Sequence, residues 1–219
     1  MDRDCDGPWQ QGSGAFAAQR YSLRQAPEMQ PGFVLNLLWL LWLVSWLAAS
    51  FWAKRPAKRP PVRDELVYRI LTVVGAALIF WQVRRVDVAG QLWGTVPALG
   101  WVLLLLAFLG FAFAWWARIH LGTLWSSSVT RKDDHTVVDT GPYAIVRHPI
   151  YTGLLLALYA TVLERGTIFA LAGVLVLTIA FYVKARLEER FLGAELGADY
   201  GRYKRQVPML VPFWPVKSA

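Results

Sequence analysis

The side chains able to do chemistry in this chain gather late in its sequence. From His135 to Gly153 it reads HTVVDTGPYAIVRHPIYTG, and from Lys184 to Pro215 it reads KARLEERFLGAELGADYGRYKRQVPMLVPFWP. These stretches hold His135, Asp139, Tyr143, Arg147, His148, Tyr151, Glu188, Glu189, Tyr200 and Tyr203. Gly141-Pro142 marks a turn. Pro149 suits the first turn of a helix, where its missing N–H needs no partner. Free backbone N–H groups at that helix start can meet ligand oxygens. Gly153, with no side chain, would let a flat ring lie close to the backbone. Tyr143 and Tyr151 offer stacking faces and hydroxyl donors. Taken singly, each group has a plain reading. Arg147 can be an anchoring charge and His148 a capping residue. Glu188 and Glu189 can be a solvated face paired with Arg186 and Arg190 along a helix. The joint arrangement carries the inference, because an anchor alone has no need of Gly-Pro-Tyr, Arg-His-Pro and Glu-Glu together.

Long apolar blocks must position these groups. Of the 219 residues, 56% are hydrophobic and only 17% charged, well below the roughly 25% charged residues of a soluble domain. The blocks run over 33–53, 66–82, 96–117, 150–163 and 167–183, and the first is long enough to cross the hydrocarbon core, which takes about 20 residues. The reading is an all-α polytopic membrane protein with about five transmembrane helices. The fourth and fifth form a tight hairpin joined at Glu164-Arg165-Gly166. Residues 1–31 read as a mobile tail without a signal-peptide core, 32–117 as three spans, and 118–219 as a catalytic region. Arg69 lies near enough to the basic end of its span to snorkel. The hairpin brings 135–153 and 184–215 to one membrane face. Alternating sides puts about sixteen Lys and Arg on the inner side and about six outside. This places the N-terminus outside and the C-terminus in the cytoplasm, at a bacterial inner membrane. The net charge of +8 sits beside apolar blocks, where it orients the chain, and not on a separate nucleic-acid-binding surface. Cys5 is the single cysteine, so neither an intrachain disulfide nor a cysteine metal cluster is expected.

GPYAIVRHPIYTG, followed one hairpin later by EERFL and YGRYKRQVPMLVPF, resembles the isoprenylcysteine carboxyl methyltransferases and their relatives, including phospholipid N-methyltransferases. The resemblance covers about residues 118–215. It implies S-adenosylmethionine as cofactor, lined by His135, Thr136, Val137, Val138 and Tyr143, by His148, Pro149, Ile150 and Tyr151, and by Glu188. A family glutamine would fall near Ser128. Where the prenylcysteine enzymes place an arginine for the substrate carboxylate, this chain has Lys184, which cannot grip with a planar fork; Arg186 is the alternative substrate cation. Arg147, His148 and Glu189 are the candidate catalytic residues. A carboxylate acceptor needs no general base, whereas an amine or thiol must lose a proton, with His148 or a nearby carboxylate as candidate base. The expected partners are the lipid bilayer and a lipophilic or small-molecule methyl acceptor. Two other readings stay open: a membrane sterol-type reductase using NADPH, which shares Arg-His-Pro and Glu-Glu, and a non-catalytic membrane scaffold.

Overall fold

Proline and small polar residues set the helix starts. Pro31, Pro97 and Pro149 each occupy the first helical position, and the Thr167 side chain accepts from the Ala170 amide at the head of the last helix. In the computed structural model, which describes residues 30–51, 62–81, 90–122 and 137–215, five long helices follow. They are α1 (Pro31–Ser50), α2 (Val62–Phe80), α3 (Pro97–Leu121), α4 (Pro149–Arg165) and α5 (Ile168–Gln206), with a 3-10 turn at Gly141–Ala144. The turn falls where Gly141-Pro142 marks one. Among the described residues the extended contact is an isolated bridge between Gln91 and Thr167.

By length and composition, α1, α3 and α5 are long and apolar enough to cross a membrane. The helix α2 carries Arg63, Asp64, Glu65 and Arg69 in its first half. Arg69 pairs with Glu65 one turn earlier at 2.5 Å, so its charge has a partner as well as a route to the interface. The 17 residues of α4 rise about 25 Å. The charged segment after Val183 does not start a new element. It continues α5 to Gln206, with a break at Gly197, where φ is 56°.

The helices alternate in direction. Pro31 at the start of α1 touches Gly100 near the start of α3, and Ala49 near the end of α1 accepts from Arg118 near the end of α3. Tyr68 in α2 packs with Leu187 in α5, while Ile79 at the far end of α2 packs with Val174. Two crossings are held at backbone distance by glycine. A Cβ on Gly110 of α3 would stand 2.5 Å from the Gly153 carbonyl of α4, and one on Gly75 of α2 would stand 2.9 Å from the Gly173 carbonyl of α5. Close backbone approach at small residues is how helices associate where lipid removes the hydrophobic drive. Gly153 therefore meets α3 and not a flat ligand ring: the space that its missing side chain leaves is filled by a neighbouring helix. Between the crossings, Trp39 is wedged against Trp42, Phe80 and Phe111, and its indole N–H reaches the buried Thr161 hydroxyl at 2.9 Å.

Candidate active site

The site forms where the start of α4 meets the segment of α5 beyond its apolar stretch. His148 precedes Pro149 and is 7% exposed. Its Nδ1 lies 3.3 Å from Glu188 Oε2 and its Nε2 lies 3.4 Å from Glu189 Oε1. Two consecutive glutamates thus flank one imidazole from both sides. Glu189, 2% exposed, also accepts from Arg147 Nε at 2.7 Å and pairs with Lys204 Nζ at 3.2 Å. Arg147 gives its other end to two backbone carbonyls, Lys204 at 2.9 Å and Val207 at 2.5 Å. A carboxylate buried this deeply needs such partners. Arg186 and Arg190 do not provide them: both are exposed, and the glutamates turn to Arg147, His148 and Lys204 instead.

Charge sets the protonation states. Burial pushes the Glu189 carboxyl up, but His148 and Arg147 outweigh it and hold it at about 2. Glu188 behaves alike: burial raises it, and His148, Lys184 and Tyr151 bring it below its ordinary value. Burial works against the His148 cation, yet the two carboxylates raise its pKa on balance. The three groups favour an imidazolium between two carboxylates. Tyr143 is pushed up by burial and stays neutral.

The open side of the cluster belongs to Glu188, whose side chain retains 19% exposure. It accepts from the Tyr151 hydroxyl at 2.6 Å. The Tyr151 ring stacks between His148, with centroids 5.5 Å apart, and Phe181, 5.4 Å away. Lys184 stands one turn before Glu188, so the two share a face of α5. The Lys184 ammonium lies 5.4 Å from the ring centres of both Tyr68 and Tyr151. Arg186, two residues from each, falls on the far side of the helix and is exposed. It does not join the site, because a two-residue step turns a helical side chain by more than half a revolution.

The C-terminal segment ties these pieces down. The amides of Arg147 and His148 donate to the carbonyls of Pro208 and Met209 at 2.8 and 3.1 Å, so these two N–H groups are already engaged. The Thr152 hydroxyl donates to the Leu210 carbonyl at 2.6 Å. Tyr203 donates to the Tyr143 carbonyl at 2.7 Å, which makes Tyr143 a buried support of the turn. Val137 packs against Tyr200, Tyr203 and Val207, and Val138 and Ile150 are partly covered nearby. His135, Thr136 and Ser128 lie outside the described residues.

Tyr68, Phe181 and Lys204 join the site without having been singled out in the sequence. Tyr68 comes from a helix whose sequence matches the resembled family only in being hydrophobic. The signal that marks it is its neighbour Arg69, an ionisable residue inside the apolar block 66–82 and so itself a sign of function.

A family model for the isoprenylcysteine carboxyl methyltransferase family matches residues 102–194, which runs from α3 to just past Glu189. Methanethiol S-methyltransferase 2 of Bradyrhizobium diazoefficiens is 32% identical over 177 residues, covering 74% of this chain and 63% of the relative. The methanethiol S-methyltransferase of Crocosphaera subtropica is 30% identical over 177 residues, covering 76% of this chain and 67% of the relative. This chain thus spans a little under two thirds of the first of these relatives. The solved structure of the eukaryotic intramembrane Ras methyltransferase, an isoprenylcysteine carboxyl methyltransferase, shares the fold with a TM-score of 0.58 at 21% identity, over 85% of this chain and 69% of that one. With Arg147, His148, Glu188 and Glu189 drawn together at the end of an all-helical, membrane-embedded bundle, this chain belongs to the isoprenylcysteine carboxyl methyltransferase family.

Proposed function

We propose that this chain is a membrane methyltransferase that uses S-adenosylmethionine and methylates a small thiol. One observation carries the reading: a single face of α5 presents a cation, Lys184, and an anion, Glu188, one turn apart beside the ring of Tyr151. The donor set fits the cofactor. Glu188, which keeps a small exposed edge, and the stacked rings of Tyr151 and Phe181 make an anionic, aromatic surface, which suits a sulfonium and an α-ammonium group.

Bound there, S-adenosylmethionine supplies a methyl group already activated by its positive sulfur. Glu188 would hold the cationic part of the cofactor, with Tyr151 fixing the carboxylate's orientation. His148, favoured as a cation by Glu188 and Glu189, orients the two glutamates and is not assigned to take the acceptor's proton. Lys184 faces the acceptor. Its charge lowers the cost of ionising a thiol and retains the thiolate, whose proton passes to solvent. The apolar walls around Tyr68 and Phe181 exclude competing water, and positioning supplies much of the remaining rate.

Two lines favour a thiol over a carboxylate. The relatives from Bradyrhizobium diazoefficiens and Crocosphaera subtropica, each covering about three quarters of this chain, are named for methanethiol. A carboxylate would also be served by a guanidinium fork, yet Arg147 is committed to Glu189 and two carbonyls, and Arg186 faces away. The test offers methanethiol and N-acetyl-S-farnesylcysteine to the purified protein with methyl-labelled cofactor. The label is expected on the thiol, with a rate that climbs with pH as the thiol ionises. Label confined to the prenylcysteine, at a rate independent of pH near neutrality, would overturn the thiol reading.

The alternating helix directions also support five spans. The segments 54–65 and 118–147 and the C-terminal tail would then lie on the cytoplasmic side of a bacterial inner membrane. Reporter fusions placing residue 58 or 210 outside would reverse this orientation.

A further inference from the structure

A second site lies at the opposite end of the bundle. His148 immediately precedes α4 and Arg165 is its last residue, so the rise of the helix separates the two ends by about 25 Å. There a cavity of about 700 Å³ opens between the start of α1, the end of α2 and the α4–α5 turn. Phe33, Val74, Ala77 and Phe169 give it apolar walls, and Glu164 and Arg165 are its charged lining. The Arg165 guanidinium donates to Asn36 Oδ1 at 2.7 Å and lies 5.3 Å from the centre of the Phe80 ring. The Glu164 carboxyl rests against Gly32 at the head of α1.

The chemistry of the lining selects its ligand. A carboxylate and a guanidinium adjacent in the chain match a molecule that carries both charges. A simple anion would leave Glu164 opposed to it, and a simple cation would leave Arg165 so. A soluble zwitterion would make no use of walls such as Val74 and Ala77, which run from the helix end toward the middle of the span. At the end of membrane-crossing helices the surrounding medium is the headgroup layer. An amphiphile with a phosphate beside an ammonium fits every part: the phosphate takes the planar guanidinium fork, the ammonium meets the carboxylate, and an acyl chain covers the apolar wall.

We propose that this cavity binds a zwitterionic phospholipid, with its phosphate on Arg165, its ammonium on Glu164 and an acyl chain along Val74 and Ala77. The inference rests on the membrane location of the bundle and is independent of the acceptor assigned to the other end.

The test is native mass spectrometry of the full chain in mild detergent. Dioleoylphosphatidylethanolamine, dioleoylphosphatidylglycerol and dioleoylglycerol are added at equal concentration. The expected order of retention is ethanolamine lipid, then glycerol lipid, then diacylglycerol, with about tenfold between the first two. The Glu164→Gln variant removes the charge, keeps the shape and should erase the preference between the two phospholipids. The Ala77→Phe variant fills the cavity wall and should abolish retention of both. Equal retention of all three lipids by the unaltered chain, a comparison that needs no variant, would overturn the proposal. An unchanged preference in a folded Glu164→Gln protein would overturn it too. So would failure of the unaltered chain to retain any lipid until residues 1–29 are deleted, which would assign the cavity to that segment.

Discussion

The two ends of the bundle are fastened by different forces. At the His148 end, Arg147, His148 and Glu189 form a buried set of alternating charges, with the partly exposed Lys204 at its edge. At the other end the α4–α5 turn itself is closed by neutral bonds to backbone carbonyls, although Arg165 also reaches Asn36. The Trp93 indole and the Thr95 hydroxyl donate to Leu163 at 2.9 and 3.1 Å, and the Leu92 amide donates to Gly166 at 2.7 Å. Neutral bonds suffice to close a helical hairpin. Burying charge is costly even when it is paired, and it is weak evidence for stability alone. The buried concentration of ions at the His148 end therefore points to chemistry there, and the neutrally bonded α4–α5 turn supplies the comparison for stability.

The contrast can be broken most severely at Glu189. Its replacement by alanine strands Arg147 and His148 as buried charges, at a cost of about 3–5 kcal/mol. Thermal unfolding in detergent should shift down accordingly; a midpoint equal to the unaltered protein would contradict the network. Acid probes the same group. Its carboxyl is held at about 2 against an ordinary value of 4.5. The stability it lends is complete above about 4.5 and is lost as pH falls through about 2. Hydrogen exchange should show the His148 end opening in that window ahead of the Trp93 end, and simultaneous opening would count against the account.

Smaller effects follow from packing. Gly153→Leu would drive a side chain into the backbone of α3, a disruption of about 1–3 kcal/mol or more. Because Gly153 lies just over one turn after His148, methyl transfer should fall with stability. Full activity in that variant would show the crossing to be adjustable. Gly166 has φ 64°, and alanine there costs about 1–2 kcal/mol from backbone conformation, before its contact with Trp93 is added. Trp93→Phe removes one neutral hydrogen bond at an exposed site and should cost no more than about 1.5 kcal/mol. A loss at Trp93 as large as that at Glu189 would erase the distinction between the two ends.

Much of this was legible in the sequence because it depends on local chemistry. The apolar blocks gave the helices. Pro149 gave the start of α4, Gly141-Pro142 gave the turn, and the joint motif gave His148, Glu188 and Glu189. The rest depends on tertiary packing. Gly153 read as room for a ligand, yet only the approach of α3 decides what fills that room. Arg186 and Lys184 are both cations near Glu188 in the sequence; the helical repeat puts one on its face and the other behind it. Tyr68 lies more than a hundred residues before Lys184, and nothing local in the chain announces that α2 and α5 will run side by side.

The proposed function divides labour along one face of α5, with Glu188 serving the cofactor and Lys184 the acceptor. Titration calorimetry of S-adenosylmethionine into the purified protein tests it most directly, with Glu188→Gln and Lys184→Met variants that keep side-chain volume. Glu188→Gln should weaken binding about tenfold or more, and Lys184→Met should leave it within about twofold. Undiminished affinity in a folded Glu188→Gln protein, or a loss in Lys184→Met as great as in Glu188→Gln, would contradict the account.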